Sequence, residues 1–210
     1  MSVIEAIKFE KPRLIEEEDQ ARADFYALLA SLFYRAPDAR LLAAMVIAPE
    51  PASEAVPALV DTWRALAAAS VVMPPEAVNA EFETLFIGVG RPAVMLYGSF
   101  YRAGFLNERP LAELRTDLAR LGFQRDPAVG ETEDHIAALC DVMRAMILGD
   151  VENPPASVAV QQQFFKTHLQ TWIVDCCDAT TRNENSNYYS RVAAFAKVFF
   201  QIEIDAFEMQ

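Results

Sequence analysis

At 210 residues the chain has room for one substantial hydrophobic core and little for two. Its 53% hydrophobic residues and only seven glycines, none before Gly88, leave few tight hairpin turns, and thirty acids against eighteen bases (net charge -12) exclude nucleic acid as the expected partner. Cys140, Cys176 and Cys177 form an odd set without C-x-x-C spacing, which argues against a disulfide framework or zinc knuckle and for a reducing cytoplasm.

The first twenty residues mix charges into every few positions, with no apolar run long enough for a secretory signal or a membrane span, so no membrane insertion is expected. From Glu16 a helical pattern begins, with Phe25, Leu28, Leu29, Leu32 and Phe33 on one stripe and acids in the first turn, where the helix dipole favours them. Asp38 is placed to cap a short second helix bearing Leu41, Leu42 and Met45. After a proline-containing break, Val56, Leu59, Val60, Trp63, Leu66 and Ala67 trace a third, with Pro57 tolerated near its first turn.

Pro74-Pro75 opens a fourth helix through Val78, Phe82, Leu85 and Phe86, with Gly88 as its stop. The stretch GVGRPAVMLYGS holds three of the seven glycines and reads as a loop, an unusually apolar one. A short segment FYRAGFLN follows, and then a helix from Pro110 through Leu111, Leu114, Leu118 and Leu121 that Gly122 closes.

Thr132 is the expected N-cap of the next helix, which sets Glu133, Asp134 and His135 in its first turn and Ile136, Leu139, Cys140, Met143 and Ile147 on its buried face. DVENPPAS, over 150–157, is the clearest linker. Beyond it Phe164, Phe165, His168, Leu169, Trp172, Ile173 and Cys176 form one apolar stripe, and the polar run ATTRNENSN separates that stripe from a last helix with Tyr188, Val192, Phe195, Phe199 and Ile202 on one face. The sum is an all-α fold: a single-domain helical bundle of about eight or more helices over 1–210. Its 150–157 linker is a hinge of the kind through which protomers exchange helices, so a monomer or an exchanged dimer is expected.

Catalytic chemistry finds little support. Cys140 follows His135 by five residues, off the helical i+4 alignment, and sits in an apolar stripe where a thiol packs rather than reacts. His168 and Cys176 are too far apart to share a metal, and neither H-x-x-x-H nor E-x-x-H occurs; His168 is expected at the edge of the core, satisfied by hydrogen bonds. Gly88-Val89-Gly90 lacks the Lys-Ser/Thr of a phosphate loop. No catalytic residue, metal or cofactor is therefore expected. The run ETEDHIAALC stacks three acids around one of only two histidines and admits two explanations, helix capping and a binding site for something cationic. At the positive end of a helix His135 is expected to be neutral.

Five segments in order, EFETLFIGVGRPAVMLYGSFYRAG, LRTDLARLGF, EDHIAALCDVM, QQQFFKTHLQTW and YYSRVAAFAKVFF, resemble the successive signatures of the TorD/DmsD family of redox-enzyme maturation chaperones. The resemblance covers about residues 20 to 205. It implies a non-enzymatic, all-helical cytoplasmic protein that binds the twin-arginine signal peptide of the apo form of a molybdopterin oxidoreductase and holds the client until its cofactor is inserted. Glu83, Leu85, Phe86 and Gly88 are assigned to one family run, Tyr97, Ser99 and Tyr101 to a second, and Asp134 with His135 to the pair that the family uses for signal-peptide binding. The chain departs from the family pattern in carrying Glu133 where proline often precedes the aspartate, and in reading Gly-Val-Gly after Phe86-Ile87.

That role asks for carboxylates beside an apolar groove, since the leader carries two guanidinium groups and a moderately apolar segment. Glu131, Glu133 and Asp134 are expected on the anionic side, with His135 at its edge. Phe86, Met95, Leu96, Tyr97 and Tyr101 are expected on the apolar side, with Ser99 between. The rival roles are a helical adaptor that grips a mature partner protein and a weak nucleotide-binding protein.

Overall fold

The computed structural model describes residues 16–51, 56–88, 90–126, 128–149 and 154–209. Ten α-helices account for most of them: α1 (Glu17–Tyr34), α2 (Ala39–Ile47), α3 (Pro57–Val72), α4 (Pro75–Phe82), α5 (Gly98–Ala103), α6 (Arg109–Arg120), α7 (Ile136–Leu148), α8 (Val158–His168), α9 (Ile173–Arg182) and α10 (Tyr188–Glu208). No strand occurs among the described residues, and the all-α expectation holds with more and shorter helices than the apolar stripes suggest.

Local chemistry sets most of the boundaries. Glu17, Glu18 and Asp19 occupy the first turn of α1, and the Asp38 carboxylate accepts the Leu41 N–H at the start of α2. Pro57 and Pro75 lie in the first turns of α3 and α4, where their missing N–H groups cost no helix bond. Helix α4 runs on into a π-helical turn, Glu83–Ile87, which Gly88 ends at φ 61°. A side chain at Gly88 would meet the Arg91 carbonyl oxygen at 2.9 Å, so both conformation and space call for glycine.

Two boundaries beyond α7 differ from the sequence-based expectation. The stripe from Phe164 to Cys176 is two helices, because the Trp172 indole N–H takes the His168 carbonyl at 2.6 Å and the backbone turns between α8 and α9. The turn presents His168 to Asp117 on α6 and stacks Trp172 on Tyr101, with ring centroids 5.5 Å apart. The polar run after Cys177 is helical as far as Arg182, and the Thr180 and Thr181 hydroxyls bond back to the carbonyls of Cys176 and Cys177. Of the linker, residues 150–153 lie outside the described residues. Past it, the Ala156 N–H donates to the Met146 carbonyl and ties the entry of α8 back to α7.

The core lies where α1 packs on α7 and where α10 packs on α9 and α3. Tyr26, Leu29, Leu32 and Phe33 of α1 and Phe195, Phe199 and Phe200 of α10 are buried there. Phe25, Trp63 and Phe195 form an aromatic cluster with centroids 5.3 to 6.3 Å apart, in tilted and edge-to-face arrangements that add to area burial. The two buried carboxylates of this core are paired. The Glu203 carboxylate accepts two bonds from Arg22 and one from the Tyr26 hydroxyl, joining α1 to α10. Glu81 of α4 accepts the backbone N–H groups of Asn187, Tyr188 and Tyr189, thereby capping α10 from another helix.

Candidate functional site

The second half of the connection before Tyr97 is apolar because it is buried, whereas Gly90, Arg91 and Ala93 are exposed. Val94, Met95 and Leu96 are all buried, and the Met95 carbonyl accepts the Tyr101 hydroxyl at 2.9 Å. At its end the connection meets the approach to α7 in one antiparallel bridge between Tyr97 and His135. Ile136 N–H donates to the Leu96 carbonyl and Gly98 N–H to the Asp134 carbonyl, each at 2.9 Å. Two segments nearly forty residues apart in the chain are thus pinned together, and the first residues of α5 face the start of α7.

The cap of α7 is not Thr132. The helix starts at Ile136, and the N-cap is His135, whose Nδ1 accepts the Ala137 N–H at 3.1 Å. Glu133 and Asp134 therefore precede the helix and are not in its first turn. The Asp134 carboxylate is buried, taking the Ser99 N–H on Oδ2 at 2.8 Å and the Thr132 hydroxyl on Oδ1 at 2.6 Å. It caps α5 across the bridge. His135 is buried as well, and burial lowers its pKa to about 4 against the opposing pull of Glu131 and Asp134, so the imidazole is neutral. With Nδ1 accepting, the proton sits on Nε2.

Tyr97 completes the cluster. Its ring stands edge-on to the His135 ring, with centroids 5.0 Å apart, and its hydroxyl donates to Glu131. Burial and then the bond to Glu131 push the phenol pKa up, which keeps the hydroxyl a donor. Glu133 receives Arg115 of α6 through two parallel bonds, Nε to Oε1 at 3.0 Å and Nη2 to Oε2 at 2.9 Å. Burial pushes its carboxyl up, but the Arg115 bonds outweigh that effect and hold it below the usual carboxylate range.

Beside this cluster opens a cleft of about 520 Å³. Its walls come from the C-terminal end of α1 (Ala30, Tyr34), from Leu118 and Phe123 at the end of α6, and from Ala138 and Val142 of α7. Glu131, Glu133, His135 and Asp141 line it on the α7 side, and Arg35 and Arg125 also border it.

The structure brings together Tyr97, Ser99, Glu131, Asp134 and His135, as the sequence suggested, but it corrects the apolar side. Phe86 is packed in the core against Phe82, Tyr189 and Phe33, at centroid distances of 5.3, 5.0 and 6.2 Å. Met95 and Leu96 are buried, and Tyr101 lies half-buried on Trp172; none of these four, nor Tyr97, borders the cleft. The apolar wall comes instead from α1, α6 and α7. Sequence reading missed Ala30, Tyr34 and Val142 because they lie off the apolar stripes traced for α1 and α7, and Tyr34 is exposed. It also took Glu83 as the acid of the Leu85-Phe86 run, whereas Glu83 is exposed and Glu81 is the buried acid.

The remaining reactive side chains are quiet. Cys140, Cys176 and Cys177 are fully buried free thiols whose pKa values burial raises, that of Cys176 to about 12. His168 is buried with Nε2 on Asp117 at 2.9 Å, as its core-edge placement suggested, while its Nδ1 has no hydrogen-bond partner among the described residues. Among the described residues no His, Cys, Asp and Glu group is arranged to hold a metal ion, and no helix is long and apolar enough to cross a membrane.

Residues 50–178, more than half of the chain, match the model of the nitrate reductase delta subunit family. The chain belongs to that family. The matched region of this delta-subunit family member runs from before α3 into α9 and includes the whole Tyr97–His135 cluster. Among its relatives is the chaperone protein TorD of Vibrio atlanticus, 29% identical over 132 residues, or 58% of this chain and 61% of the relative. The chaperone protein TorD of Vibrio parahaemolyticus is 24% identical over 131 residues, 59% of this chain and 61% of the relative. The match thus spans about three-fifths of the length of these curated relatives. A crystal structure described as a redox enzyme maturation protein from Archaeoglobus fulgidus shares the fold, with a TM-score of 0.55 at 17% identity over 87% of this chain and 93% of that one. These findings bear out the resemblance to the TorD/DmsD family, whose named members here are chaperones.

Proposed function

We propose that this delta-subunit family member is a cytoplasmic maturation chaperone that receives the twin-arginine signal peptide of an apo molybdopterin oxidoreductase in the cleft between α1 and the start of α7. The observation that carries this reading is the juxtaposition, in one 520 Å³ cleft, of the Glu131 and Glu133 side with an apolar wall from Leu118, Phe123 and Val142. A leader of this kind presents guanidinium groups and then apolar side chains; a charge-assisted bond to a partly shielded carboxylate contributes roughly 1.5 to 3 kcal/mol, and less at Glu133, where Arg115 has first to be displaced. The net charge of -12 adds long-range attraction for a basic peptide.

In this reading the residues divide by what they touch. Glu131 and Glu133 meet the arginines, and the Nε2–H of neutral His135 is a donor for a peptide carbonyl. Asp134, Tyr97 and Ser99 hold that surface in place: Asp134 by fixing the first turn of α5, Tyr97 by aiming Glu131. Phe86 and Tyr101 support the connection from beneath.

The test is calorimetry with a synthetic peptide containing Arg-Arg followed by an apolar segment, and with the same peptide carrying Gln-Gln. The proposal expects at least tenfold weaker binding of the Gln-Gln peptide and a loss of affinity as salt rises. Equal affinity for the two peptides contradicts it. A second reading, the adaptor that grips a folded partner, is favoured by a separate feature: Val46, Ile47, Val71 and Val72 stand exposed along an apolar groove between α2 and α3. A client lacking its signal peptide binds in that case and not in the first.

A further inference from the structure

Glu133 belongs to the cleft, yet its carboxylate already carries a guanidinium. The two Arg115 bonds run in parallel to the two oxygens, which is the bidentate geometry an arginine of a bound peptide would adopt. The partners differ in their surroundings. The Arg115 side chain is 50% exposed and reaches over from α6, where it does not border the cleft, whereas the Glu133 side chain is only 14% exposed and does. The acid is fixed and the base is peripheral.

We propose that Arg115 is a resident competitor for the cleft carboxylate, an autoinhibitory contact that a twin-arginine leader must displace. This rests on the reading of the cleft given above. When no peptide is present, Arg115 neutralises Glu133 and closes the carboxylate to single lysines and other weak cations, which make one bond where Arg115 makes two. A peptide arginine matches both bonds and brings with it the apolar contacts of the following segment, so the exchange favours the peptide. Arg115 then returns to water at small cost, because an exposed ion pair changes an equilibrium by only about two- to fivefold.

Calorimetry on the full chain with the Arg-Arg peptide tests this. Arg115→Gln is expected to bind about two- to fivefold more tightly than the unaltered protein, with Arg115→Lys in between. In a Glu133→Gln background, itself weakened, Arg115→Gln is expected to change nothing, since the contested carboxylate is gone. Circular dichroism of each variant confirms an intact helical fold. If the unaltered protein binds the peptide and Arg115→Gln binds equally or less tightly, Arg115 is not a competitor and the receptor reading stands. If neither protein binds the peptide, the receptor reading falls and the competitor role falls with it.

Discussion

Asp134 holds Ser99 at the first turn of α5, its Oδ2 accepting the Ser99 N–H at 2.8 Å while its own carbonyl accepts the neighbouring Gly98 N–H at 2.9 Å. One residue on the approach to α7 thereby satisfies the first two amide donors of a helix in another part of the chain. Gly98 fits this junction because a Cβ there would lie 2.9 Å from the Trp172 indole nitrogen.

Asp134→Ala therefore acts on stability before it acts on any ligand. It strands the buried Ser99 N–H and the Thr132 hydroxyl, at a cost of about 1 to 3 kcal/mol, which for a chain of this size lowers Tm by roughly 3 to 10 °C. Asp134→Asn keeps an oxygen acceptor and is expected to lose less. Thermal unfolding followed by circular dichroism checks this, and an unchanged Tm for Asp134→Ala is incompatible with the capping role.

Glu81 and Glu83 make a second comparison. Glu81 accepts three backbone N–H groups at the start of α10, whereas Glu83 is exposed with Asn79 as its side-chain partner. Glu81→Ala is expected to cost on the order of 3 kcal/mol and Glu83→Ala less than about 0.5 kcal/mol. Urea denaturation of the two variants side by side gives the answer; equal midpoints contradict it.

The pH dependence follows from His135. Its imidazole titrates near 6.5 in the unfolded chain and near 4 in the fold, where burial disfavours the charged form. Between these values the unfolded state binds more protons, so stability is complete above about pH 6.5 and is lost as pH falls towards 4, by on the order of 3 kcal/mol at most. His168, also lowered by burial against the pull of Asp117, adds a loss of the same sign. His135→Asn keeps a capping acceptor and removes the titration. Its Tm is expected to fall less steeply than that of the unaltered protein from pH 6.5 to 4.5; an identical slope rules His135 out as the source.

Much of the fold was legible because the helices carry a 3.6-residue apolar period punctuated by chemistry with a mechanism, as at Asp38, Pro57, Pro75 and Gly122. The α8–α9 break escaped because apolar residues continue through it and its cause, an indole bond to the carbonyl of His168, leaves no trace in the periodicity. The pairing of Tyr97 with His135 was foreshadowed by family resemblance and not by spacing. The apolar side was not legible: an apolar connection can be apolar because it is buried, as Met95 and Leu96 are, and a wall shared by Ala30 and Val142 exists only once α1 lies on α7.

The most direct measurement is photo-crosslinking. An Arg-Arg peptide with a photoreactive residue just after the arginines is irradiated with the full chain, and the adducts are mapped by mass spectrometry. Adducts are expected on Tyr34, Leu118, Phe123 or Val142, suppressed by excess unlabelled Arg-Arg peptide but not by its Gln-Gln counterpart. Adducts confined to Val46, Ile47, Val71 and Val72 would contradict the receptor reading.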